Sequence, residues 1–292
     1  MKTTLLAILA TVAILGTACD IVEAPYLKNP IGPVDTTKND TSTTMVRSGG
    51  VQNVLLEDYT GHTCGNCPEA ADIATSIATK NPGRVIVMAV HVGVFAVPEF
   101  PDYPADYRTA VGNTLDETFL NSRAGLPNGL VNRVRYNNRL VLGRQNWEPA
   151  TNVQLAKTPK LDLGLSHTHY KEDSLIVASV EATYLEAGET DYSIVVYLVE
   201  NGIVGDQKDY RRNPEHVEDY EFEHVLRASL NGTWGDTLSK NAEAAGTKLM
   251  KTFRYKVPAG VPWKLENCEL IAFVIRRTTN EVVQVVKQKI KA

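Results

Sequence analysis

The sequence predicts an α/β domain followed by an antiparallel β-sandwich, set behind an N-terminal export segment. Three observations lead there. Residues 51–92 read as strand, helix and strand, with a Cys-x-x-Cys where the first strand gives way to the helix. Beyond residue 157 the pattern changes to strands separated by short turns. The first 19 residues carry a positive start, a short apolar run and a small-residue cleavage site that ends in cysteine.

At 292 residues, 43% hydrophobic and 22% charged, the chain is long and apolar enough for two ordinary cores. A formal net charge of -4 gives no basic surface of the kind nucleic acid requires, so nucleic acid is not expected as a partner. Past the N-terminus no apolar run is long enough to span a bilayer.

In chain order, Lys2 begins the export segment and Leu5 to Leu15 form its apolar run. Leu15-Gly16-Thr17-Ala18-Cys19 resembles a bacterial lipobox, although Gly16 stands where leucine is usual. The resemblance implies cleavage after residue 18 and acylation of Cys19, which would hold the protein at a membrane surface through buried methylenes. An ordinary signal peptide with an incidental cysteine is the alternative. Residues 19–50 read as a flexible tether, because Pro25, Pro30, Pro33 and the polar run from Asp35 to Thr44 offer little apolar surface to offset ordering.

The first domain is expected over 51–158. Val51 to Tyr59 reads as a strand, Glu69 to Lys80 as a helix stopped by Asn81-Pro82-Gly83, and Arg84 to Val92 as a strand buried on both faces. Cys64-Gly65-Asn66-Cys67 falls at the seam. A helix N-terminus there favours thiolate on Cys64, and the two-residue spacer lets Cys67 attack a mixed disulfide formed on it. Half of a zinc site is the first alternative, but the other cysteines are Cys19 and Cys268, and no histidine pair has zinc-finger spacing. An inert structural disulfide between Cys64 and Cys67 is the second. Further along, Asp106 to Leu120 reads as a helix, Gly129 to Leu142 as a hairpin turning at Asn137-Asn138, and Arg144 to Lys157 as a closing helix. Tyr103 and Tyr107 could line a groove by the cysteines or simply pack.

Three features resemble thioredoxins: the Cys64 to Cys67 motif, Asp58 on the strand before it, and Gly125-Leu126-Pro127. The resemblance spans about Val51 to Lys157 and implies a thioredoxin-like fold. It also implies that Asp58 helps deprotonate the resolving thiol and that Pro127 is a cis-proline beside the sulfurs, where substrate pairs. Thr63 and Asn66 depart from the family's usual Trp and Pro, so no redox potential is implied.

The second domain is expected over 159–292. Leu161–Tyr170, Leu175–Leu185, Tyr192–Glu200, Met250–Val257, Cys268–Arg277 and Glu281–Ile290 read as strands, an immunoglobulin-like outline. The polar stretch Gly205 to Lys248 reads as a long connection with a short helix near Glu221 to Leu230. His167 and His169 share a strand face and read as a solvent-facing surface rather than a metal site; His216 and His224 lie in the connection and are likewise not expected to bind metal. Cys268 reads as buried and reduced. No Ser/His/Asp order or phosphate loop is present, and neither cofactor nor metal is expected.

The lipobox, the run Thr60-Gly61-His62-Thr63-Cys64-Gly65-Asn66-Cys67-Pro68-Glu69, the β-rich second half and His224-Val225-Leu226-Arg227 are together similar to the twenty-eight-kilodalton outer-membrane protein family of Bacteroidetes. That implies an outer-membrane lipoprotein of the cell envelope. Two functions fit. One is a tethered thiol–disulfide oxidoreductase acting on protein thiols or disulfides. The other is an accessory lipoprotein whose β-domain docks an outer-membrane or host partner while the cysteines are structural.

Overall fold

The computed structural model describes residues 40–291. Residues 1–39, which hold the export segment, Cys19 and most of the expected tether, lie outside the described residues. In chain order the elements are β1 (Thr41–Ser42), β2 (Val46–Arg47), β3 (Val54–Thr60), α1 (Cys67–Lys80), β4 (Val85–His91), α2 (Ala110–Phe119), α3 (Asn121–Ala124), β5 (Asn128–Val131) and α4 (Trp147–Leu155). Only strands and short turns of helix follow: β6 (Leu161–Tyr170), β7 (Leu175–Tyr184), β8 (Tyr192–Glu200), β9 (Ile203–Lys208), β10 (His216–Phe222), β11 (Val225–Ser229), β12 (Asp236–Thr237), β13 (Lys248–Lys256), β14 (Cys268–Arg276) and β15 (Val282–Lys289). The fold is mixed α/β with large, mostly antiparallel sheets and few helices.

β3, α1 and β4 make a strand–helix–strand unit, with β3 and β4 parallel from Val54↔Val85 to Thr60↔His91. Both strands are buried at every residue, which is why they read as continuous apolar runs. α1 turns Ala70, Ala74 and Ile77 inward at helical spacing. It stops at Asn81, whose side chain donates to the Ile77 carbonyl at 2.9 Å. α1 and α4 cover one face of β3–β4–β5 through Val54, Leu56, Ile77, Val87 and Trp147. α2 covers the other through Val111, Leu115 and Phe119.

The sheet does not end at β4. Its order is β15-β14-β8-β11-β4-β3-β5, so strands from both sides of residue 158 share one sheet. β11 makes the join. It runs antiparallel to β8 and parallel to β4, with Val225 opposite Ala89, and the Ala89 amide donates to the His224 carbonyl at 2.8 Å. This corrects the expected helix near Glu221 to Leu230. Val225, Leu226 and Ala228 are buried between two strands whose backbone groups need partners, and strand pairing supplies them where a helix could not. The polar connection is therefore largely β9 to β12.

The second sheet, β1-β6-β7-β13 with β2 also paired to β6, packs on β8, β14 and β15. Leu163, Leu165, Val180, Ile194, Val196, Leu270 and Ala272 fill the space between. The end of the expected tether belongs to this sheet. Thr41–Ser42 and Val46–Arg47 pair with β6, and the Ser48 hydroxyl donates to Asp162 at 2.7 Å. Pairing with an edge strand orders these residues despite their polarity. Among the described residues no helix is long and apolar enough to cross a membrane.

Candidate functional site

Cys64 and Cys67 form a disulfide. Gly61 to Cys67 makes the turn between β3 and α1: the Cys64 amide donates to the Gly61 carbonyl and the Cys67 amide to the Cys64 carbonyl, each at 3.1 Å. Cys67 opens the helix, with Pro68 in its first turn where no amide donor is needed. The sulfurs thus stand at the C-terminal end of β3, as the sequence places them. Their environment is less open than an attacking thiol needs: Cys64 is 3% exposed and Cys67 is 1% exposed.

The hairpin of β9 and β10 covers them. The Lys208 amide donates to the His62 carbonyl at 2.8 Å, and the Tyr210 amide to the Gly65 carbonyl at 2.9 Å. Gln207 Nε2 donates to the Cys64 carbonyl at 3.2 Å. The Tyr210 ring lies flat against Gly65, so close that a Cβ there would sit 2.5 Å from it. Arg211 reaches across to Asp72 of α1 at 2.6 Å. Nothing in the sequence disclosed this cover, because it joins residues about 140 positions apart through main-chain groups.

Asp58 lies on β3, 2% exposed. Its Oδ1 has no hydrogen-bond partner, and burial pushes the carboxyl up to about 7. It borders a cavity of about 130 Å³ lined also by Ala71, Ala74, Val87, Tyr220 and Glu223. Pro127 follows a cis Leu126–Pro127 bond immediately before β5, whose first residue, Asn128, pairs with Tyr59. It therefore stands at the end of the sheet from which Cys64 emerges. Asn121 and Asn128 fix that loop: Asn121 Nδ2 donates to Asn128 Oδ1 at 2.6 Å, and Asn128 Nδ2 donates to the Gly125 carbonyl at 2.7 Å.

Tyr107 is buried rather than lining an open groove, and packs between His91, at 5.0 Å between ring centres, and Phe222, at 4.9 Å. Tyr103 stacks near His216, at 4.6 Å. Neither ring nitrogen of His91 has a partner, and burial holds the imidazole down at about 3. His62 and His91 thus both touch the hairpin, His62 through its carbonyl and His91 through Phe222; His62 was named only as part of a motif, and a lone His91 carries no pattern.

His167 is held by protein groups on both ring nitrogens, Gln288 Oε1 at 3.1 Å and the Lys291 amide at 3.1 Å. Among the described residues no three metal-ligating side chains converge. Cys268 is a free thiol, buried, and burial raises it to about 12.

Comparison with solved structures finds HBP35 of Porphyromonas gingivalis at TM-score 0.59 and 16% identity, over 83% of this chain and 76% of that one. At that identity the likeness concerns the fold. A domain of the outer membrane lipoprotein Omp28 from Porphyromonas gingivalis matches at 24% identity and TM-score 0.30, over 46% of this chain and 90% of that one. No curated protein sequence matches. The family profile described as Outer membrane protein Omp28 matches residues 114–292. The chain belongs to the Omp28 outer-membrane protein family.

Proposed function

We propose that the protein is an envelope lipoprotein, anchored through Cys19, whose residues 51–158 form a thioredoxin-like unit carrying out thiol–disulfide exchange at Cys64 and Cys67. In the reduced form the Cys64 thiolate attacks a substrate disulfide, releasing one substrate thiolate and leaving a mixed disulfide. Cys67 then gives its proton to the Asp58 carboxylate and attacks Cys64 Sγ. The protein disulfide closes, and the second substrate sulfur leaves as thiolate and takes up the proton held on Asp58. The same steps in reverse oxidise a substrate dithiol. Pro127 presents the backbone beside the sulfurs. Residues 159–292, read as an immunoglobulin-like sandwich, serve as the docking half for an outer-membrane or protein partner.

Asp58 carries this reading. A buried carboxyl with an unpartnered oxygen and no paired cation among the described residues costs stability. A structural disulfide has no use for it, whereas a resolving thiol needs a nearby base poised near neutral pH. The low exposure of both cysteines favours the second reading, a binding lipoprotein with a structural disulfide. Insulin reduction by dithiothreitol separates them. The full chain should catalyse it, and Asp58→Asn should slow turnover by about tenfold or more at pH 7 while leaving the rate of Cys64 alkylation in the reduced protein unchanged. Absence of catalysis both by the parent chain and by a chain carrying Tyr210→Ala with Arg211→Ala would support the structural disulfide.

A further inference from the structure

The hairpin over the cysteines has the build of a movable part. Its two feet, Gly202 and His224, both take left-handed backbone, with φ of 64° and 59°, where β8 leaves and β11 begins. Such positions absorb rotation about a hinge. Near the feet it is anchored by Phe222, which packs with Tyr107 and Val225. Toward its tip it is held mainly by polar contacts, and residues 210–215 are exposed. The contacts at the tip are the three hydrogen bonds to the carbonyls of His62, Cys64 and Gly65, the Tyr210 ring on Gly65, and the Arg211–Asp72 pair at the surface. The Arg211–Asp72 pair lies at the surface and contributes little, whereas the Gln207 bond to the Cys64 carbonyl is buried.

We propose that residues 203–222 are an autoinhibitory strap. The inference rests on the exchange chemistry assigned above and adds its regulation. Lys208 and Tyr210 donate to carbonyls flanking Cys64, as an extended peptide laid along the turn would. The tip thus occupies a substrate strand's place, and exchange begins only when it lifts. A partner docked on the hairpin would switch the site on, and an unoccupied protein keeps its disulfide away from stray thiols.

The test uses the full chain in a Cys268→Ala background. Dithiothreitol supplies two electrons and two protons, closing to its cyclic disulfide as Cys64 and Cys67 become thiols, and alkylation with mass detection reads the rate. Tyr210→Ala with Arg211→Ala frees the tip without touching the sulfurs, and reduction should quicken by about tenfold or more. A change below about twofold in a variant that keeps the parent's circular dichroism overturns the strap. Hydrogen exchange on the unaltered chain gives a second, mutation-free reading. The Lys208 and Tyr210 amides should exchange together and well before the β8 amides of Val195 to Val199; exchange of all of them in one step overturns the proposal. Faster reduction in the variant without insulin turnover leaves the hairpin as a cover over a structural disulfide and overturns both the oxidoreductase reading and its autoinhibition.

Discussion

Glu57 and Arg133 offer the sharpest test of how the two halves are joined. Both side chains are completely buried. Arg133 Nε donates to one Glu57 oxygen and Nη2 to the other, each at 2.8 Å. The guanidinium also lies against three rings: Phe119 at 5.2 Å, Phe273 at 5.5 Å and Trp234 at 5.7 Å. The carboxylate comes from β3, while two of the rings come from residues beyond 158. Glu57→Leu removes both charge-assisted bonds and leaves an uncompensated cation in a dry core. Breaking such a pair from one side costs about 3–5 kcal/mol. At roughly 2–4 °C per kcal/mol for a chain of this size, the thermal midpoint should fall by roughly 6–20 °C. Replacing both partners, Glu57→Leu with Arg133→Met, removes the stranded charge and should recover most of that loss. Urea unfolding of the parent, Glu57→Leu, Arg133→Met and the double variant gives the coupling energy directly. A single variant losing less than about 1 kcal/mol, or a double variant no better than the single, refutes the reasoning.

Other predictions follow from single residues. Asp58 has its folded carboxyl raised from 3.8 to about 7, so the folded state holds the extra proton. That contribution to stability is present below pH 4 and is lost as pH rises toward 7. Asp58→Asn should therefore stabilise the protein at pH 8, by on the order of 2–4 kcal/mol, and flatten that slope in urea titrations between pH 4 and 8. His91, held down at about 3, acts in the opposite sense and loses stability as pH falls from 6.5 toward 3. His91→Phe should preserve the aromatic packing and reduce acid sensitivity below pH 6, read as a smaller drop in thermal midpoint. Trp147 is fully buried and donates to the Leu142 carbonyl at 3.0 Å, so Trp147→Ala should cost about 3–5 kcal/mol by urea unfolding. Cys19→Ala should abolish lipid labelling and release the protein from membranes; unchanged membrane retention would remove the lipoprotein reading.

Much of the local structure was legible because local forces write it. The limits of β6 and β8 follow their apolar patterns residue by residue, and α1 stops where Asn81-Pro82-Gly83 ends helical periodicity. Asn137 and Asn138 turn their hairpin with left-handed backbone, as their residue type suggests. What was not legible is non-local. Val225 to Ser229 is too short and too mixed to announce itself, and only the gap between β4 and β8 makes it a strand. The residue-158 division marks a change of sequence pattern, while the sheet runs through it. In the candidate site, the position of the cysteines at the strand–helix seam was legible from the motif, and Asp58 on β3 was singled out through the thioredoxin resemblance. The strap was not legible, because Gln207, Lys208 and Tyr210 act there largely through backbone groups common to every residue.

The most direct measurement of the central claim is the reduction potential of the Cys64–Cys67 pair in the full chain with Cys268→Ala, equilibrated against glutathione or dithiothreitol buffers and read by alkylation. An exchange-active pair should fall within the range of working oxidoreductases, roughly -270 to -120 mV. A value below about -300 mV, where structural disulfides of exported proteins lie, would contradict the account and leave the pair as a staple in a binding lipoprotein.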